Sequence, residues 1–125
     1  MKELKISEML ESQYKLWEMH KDSWEPMEPK QARNSLLYMI EEIGEVISVI
    51  KKQGEDEIMN NSGVREHFVV ELADVFMYYM DVMNRFKITA VELTDAYRKK
   101  NEYNLTRDYV SDNIKIKEKM EKEWK

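Results

Sequence analysis

Cysteine is absent from all 125 residues, which excludes disulfide staples and thiolate metal sites and fits a reducing compartment. Three glycines and two prolines are too few for a turn-rich β-fold or a long flexible linker. No apolar run approaches the roughly 20 residues of a membrane span, and no basic segment followed by an apolar stretch marks secretion. The expected setting is cytoplasmic, with no membrane partner. A positive balance is missing too. The net charge of −5 lacks the basic surface that nucleic-acid binding needs to displace counterions. Only His20 and His67 supply imidazole, and neither follows a glutamate by three residues, so the Glu-x-x-His pairs of a redox di-iron bundle are excluded. Zinc, lacking cysteine and paired histidine, is poorly served.

What is present is helical. Ten methionines and a 42% hydrophobic fraction suffice for one domain with a real core. Ser7 is placed to cap a first helix running to about residue 21, with Ile6, Met9, Leu10, Tyr14 and Trp17 at 3/4 spacing. Both prolines fall in 22–29 (DSWEPMEP), a loop. A second helix is expected from about 29 or 30 to 53, with Leu36, Met39, Ile40, Ile43, Val46, Ile47 and Ile50 as its main apolar face. Tyr38 and Val49 flank the opposite side. Residues 54–63 (GEDEIMNNSG) read as a polar turn, and 64–85 as a third helix. Thr89 and Glu92 form a capping-box pattern that opens a fourth helix to about residue 104. The fold class is all-α, an antiparallel four-helix bundle-like protomer. The Lys- and Glu-rich residues 109–125, ending beyond Trp124, read as a tail, either a marginal helix or a docked arm.

Two acidic pairs stand out from this frame. Glu42 and Glu45 in EEIGE, and Glu71 and Asp74 in ELAD, are each spaced i, i+3 and so share a helix face. From 68 to 83 the chain reads FVVELADVFMYYMDVM, apolar around nearly the whole circumference. Projected at ~100° per residue, Glu71, Asp74, Tyr78 and Asp81 form one narrow polar stripe. A helix apolar all round is expected to be buried, and buried carboxylates need a counter-charge. The preceding helix offers only more acids. A divalent cation is the predicted partner, and all-oxygen ligands point to Mg²⁺ or Mn²⁺. Mg²⁺ so held keeps positions open for substrate phosphates. Lys100, Asn104 and Arg107, spaced K-x-x-x-N-x-x-R, lie on one face and have the chemistry for phosphate, Arg107 through paired hydrogen bonds.

In their order and spacing, E-x-x-E, E-x-x-D and K-x-x-x-N-x-x-R resemble the MazG-like all-α nucleoside triphosphate pyrophosphohydrolases. Trp24, then Arg33-Asn34 and LLYMIEEIGEV, is similar to the dCTP-pyrophosphatase-like branch. Between them EPMEPKQA lacks the histidine often found in that branch. The resemblance covers about 24–107, within a domain drawn at 1–108. It implies a protomer that pairs as a homodimer or homotetramer, with the site bounded partly by a neighbouring chain. It also implies Mg²⁺-dependent cleavage of a nucleoside triphosphate between the α- and β-phosphates. Glu42, Glu45, Glu71 and Asp74 become metal ligands, and Glu41 or Glu45 positions the attacking water. Asp81 becomes a group supporting the ligands, and Trp24 a surface for the base. Phosphoribosyl-ATP pyrophosphohydrolase and a non-catalytic, cation-binding dimerisation module are the alternatives.

Overall fold

In the computed structural model, residues 1–123 are described, and Trp124 lies outside them. Six helices and no strand occur among the described residues: α1 (Ile6–His20), α2 (Ala32–Gln53), α3 (Glu55–Asn60), α4 (Ser62–Arg85), α5 (Ala90–Thr106) and α6 (Tyr109–Glu123). The all-α class is as the sequence predicts. No helix among the described residues is long and apolar enough to cross a membrane. The chain divides into two units, Met1–Ala90 and Val91–Lys125.

Local chemistry explains the boundaries, including those the sequence misplaces. Helix α1 begins one residue ahead of Ser7, because Glu8 reaches back to accept the Lys5 N–H at 2.9 Å. Helix α4 begins at Ser62, since Asn61 Oδ1 accepts the N–H groups of Gly63 and Val64 at 3.1 and 3.2 Å. The stretch read as a turn contains α3. Glu55, Asp56 and Glu57 occupy its first turn, where a helix dipole favours negative charge, and Ile58 anchors it in the core. Gly54, at φ 85° and ψ 158°, takes a positive-φ conformation open to glycine, which separates α2 from α3. The tail is helical as α6, opened by Asp108, whose Oδ1 accepts the Ser111 N–H at 3.1 Å.

Within the first unit α2 packs along α4, and α1 and α3 pack on α4 as well. Contacts fix the direction of the main pair. Ser35 meets Asp81, Tyr38 faces Tyr78, and Glu42 meets Asp74. Numbers rise on one helix as they fall on the other, so α2 and α4 are antiparallel. The core holds Leu10, Ala32, Val49, Ile58, Met80 and Met83.

One expectation is overturned. Helix α4 is not buried all round: Val69, Val70 and Met77 are each just over half exposed, at 51%, 52% and 51%. On α2 the large apolar face is outside as well, with Ile40 61% exposed and Leu37 54%. The polar stripe of α4 packs inward instead. Two long helices in one seam cover one face each, and in this unit the covered faces are those carrying Ser35, Glu42, Asp74 and Asp81.

Candidate metal centre and adjoining cavity

The antiparallel register brings one carboxylate oxygen each from Glu42, Glu71 and Asp74 within 4.8 Å of one another. All three side chains are half-buried. Burial, followed by the charges of Asp74, Glu71, Glu45 and Glu41, pushes the Glu42 carboxyl above its ordinary value of 4.5. Burial and then Glu42, Tyr38, Asp74 and Glu41 likewise push the Tyr78 phenol up. Among the described residues, the cationic candidate beside the three is His67, whose Nε2 lies 3.7 Å from Glu71 Oε1, too far for a hydrogen bond. It is also mostly exposed, as expected of a surface histidine. Three converging carboxylates, with Glu42 held above its ordinary value by burial and by its acidic neighbours, fit a divalent cation. Their oxygen-only chemistry matches a hard ion.

A cavity of about 500 Å³ runs from Glu42 and Asp74 along the seam to Ser35, Asp81 and Arg85. Its volume is that of a small-molecule site. At the far end Ser35 Oγ and Arg85 Nε, the latter at 2.7 Å, both donate to Asp81 Oδ2. Arg85 Nη1 donates to the Pro26 carbonyl and so holds the loop 22–29. Trp17 Nε1 donates to the Glu25 carbonyl at 2.8 Å, and Asn34 Nδ2 donates to the Glu25 carboxylate at 3.0 Å. Trp24, on this tethered loop, lines the cavity and stacks on His20 at 4.6 Å between ring centroids.

The remaining residues singled out by sequence divide between the two units. Glu41 is exposed beside Glu42. Glu45, also exposed, lies outside the three-residue group and lines a separate cavity of about 120 Å³ with Lys52 and His67. Lys100, Asn104 and Arg107 belong to the second unit. There the Lys100 ammonium lies 4.9 Å from the Tyr103 ring centre, and the Arg107 guanidinium 3.8 Å from that of Tyr109. Asn104 Oδ1 and Arg107 Nε are buried without hydrogen-bond partners. Arg107 Nε is 3.4 Å from Asp112 Oδ2, an ion pair without hydrogen-bond geometry. Ser35 and Arg85 are not legible as site residues by motif. Their signals were present: Arg85 is i+4 from Asp81 on an apolar helix, and Ser35 is two turns before Glu42 on one face.

The profile of the MazG nucleotide pyrophosphohydrolase domain matches residues 30–108, well over half of the chain. The chain belongs to the MazG family. The matched segment of this MazG domain contains both acidic pairs and the K-x-x-x-N-x-x-R residues, and begins after Trp24. It spans parts of both compact units. No curated protein and no solved structure matches the chain.

Proposed function

We propose that this MazG domain hydrolyses nucleoside triphosphates between the α- and β-phosphates, releasing a nucleoside monophosphate and pyrophosphate, with Mg²⁺ or Mn²⁺ as cofactor. The observation carrying the reading is the Glu42–Glu71–Asp74 cluster at one end of the cavity, inside the segment that matches the family. Those three residues would hold the ion. Glu45, one helical turn from Glu42, is the fourth ligand once its side chain rotates towards the group. A divalent cation bound there neutralises phosphate charge and lowers the pKa of water.

The rest is done by the chain itself. Glu41 or Glu45 accepts a hydrogen bond from the attacking water and orients it. Water adds to the α-phosphorus, giving up a proton to that glutamate, as the bond from the α-phosphorus to the bridging oxygen breaks and pyrophosphate leaves. Lys100, Asn104 and Arg107 bind phosphate oxygens, a role supported by their K-x-x-x-N-x-x-R spacing inside the segment that matches the family. Trp24 offers its ring to the base. The catalytic domain is assigned to 1–108, with 109–125 as an accessory segment, in a cytoplasmic setting. The exposed apolar faces of α2 and α4 pair copies of the chain into a homodimer or homotetramer.

The test is pyrophosphate release from ribo- and deoxyribonucleoside triphosphates with Mg²⁺, Mn²⁺ or EDTA. Metal-dependent appearance of monophosphate and pyrophosphate is expected. No release from any triphosphate by the folded protein would sink the reading.

A further inference from the structure

The cavity has a second polar end, chemically unlike the first. Along α4 the wall residues Asp74, Tyr78, Asp81 and Arg85 follow one stripe, and from Asp74 to Arg85 the helix rises about 16 Å. If triphosphate chemistry occurs at the acids, as proposed above, the nucleoside lies towards Asp81 and Arg85. Those two are only 7% and 6% exposed. A buried ion pair contributes little net stability relative to an apolar pair of the same size. Its presence on a cavity wall therefore calls for another role.

Both bonds to Asp81, from Ser35 Oγ and Arg85 Nε, arrive at Oδ2, and Oδ1 receives neither. Arg85 commits Nε to Asp81 and Nη1 to Pro26, and Nη2 enters neither bond. A rigid acceptor and a rigid donor thus stand side by side. The same guanidinium fixes the loop that carries Trp24, so the stacking ring and the polar pair share one frame.

We propose that Asp81 and Arg85 read the edge of the nucleobase. Asp81 Oδ1 accepts a base N–H, and Arg85 Nη2 donates to the neighbouring ring nitrogen or carbonyl. The ligands are nucleoside triphosphates whose base presents an N–H donor beside an acceptor. A buried acceptor left without its donor is strongly penalised, so discrimination is large.

The experiment compares kcat/KM for the best triphosphate with that for its analogue in which the edge N–H is replaced by C–H or N–CH₃. Wild-type protein is expected to reject the analogue by at least about 100-fold. In Asp81→Asn the amide oxygen is taken by Ser35 Oγ and Arg85 Nε, which leaves the Nδ2 donor where Oδ1 stood. The preferred substrate thus loses its acceptor, and the ratio is expected to fall below about 10-fold. A purely structural Asp81 would lower both substrates equally and preserve the ratio, which overturns the proposal. Should Asp81→Asn fail to fold, the wild-type ratio decides alone: equal use of both triphosphates overturns the proposal. Turnover without discrimination defeats this inference only, whereas no turnover of any triphosphate defeats the parent reading with it.

Discussion

The seam between α2 and α4 and the outer faces of the same helices reverse the usual division of polarity. Inside lie Ser35, Glu42, Asp74, Asp81 and Arg85, half-buried or buried. Outside lie Leu37, Ile40, Val69 and Val70, each more than half exposed. Soluble helices ordinarily do the opposite. A carboxylate in a seam is costly unless something offsets its charge, and an apolar face in water invites association. Under the function proposed above, the two regions take two different partners, a cation within and a second copy without. The seam itself is also divided. Its Asp81 end is internally neutralised by Arg85, whereas its Glu42 end accumulates like charge.

That contrast breaks at predictable places. The largest effect is expected at the neutralised end. Arg85→Ala leaves Asp81 buried and unpaired and frees the loop at Pro26, a loss of about 3–5 kcal/mol in urea unfolding. At the acidic end the response differs in kind. Asp74→Asn is expected to lower kcat/KM by at least about 100-fold. In the absence of metal, the same variant melts at or above the wild-type temperature, since one source of repulsion has gone. On the outer face, Ile40→Glu is expected to shift the sedimenting species towards single chains. Its protomer stability changes within about 0.5 kcal/mol, because the residue is exposed.

The smallest effect is a pH dependence. The folded-state carboxyl of Glu42 titrates above its ordinary value of 4.5, so the native chain binds the proton more tightly than the unfolded chain. This contribution to stability is fully present below pH 4.5 and is lost as pH rises through the raised value. Urea titrations of metal-free protein are expected to show that decline in wild type and a flatter profile in Glu42→Gln. Identical profiles would mean that neither burial nor the neighbouring acids raise the Glu42 carboxyl.

The helices were legible because 3/4 spacing survives in sequence whatever covers each face. The short α3 and the true start of α4 were not. Glu55–Glu57 and Asn61 act through helix-end electrostatics and capping, which apolar periodicity does not register. Both acidic pairs were legible, and the structure gathers three of their four residues, Glu42, Glu71 and Asp74, although the premise behind the expectation was faulty. Burial of α4 on all sides was expected, whereas Val70 and Met77 stand exposed and the stripe is inside. The packing partner of each face is a tertiary fact, absent from one helix's pattern. Glu71, Asp74 and Glu42 meet, while Glu45 points the same logic at a position outside the group. Arg85 went unread because a lone arginine near a helix end ordinarily signals solvent and the dipole.

The most direct measurement is the melting temperature of wild type and Asp74→Asn, each with EDTA and with Mn²⁺. Mn²⁺ is expected to stabilise wild type, reversibly on chelation, and to leave Asp74→Asn essentially unmoved. An equal shift in both proteins, or none in wild type, would contradict a cation held between α2 and α4.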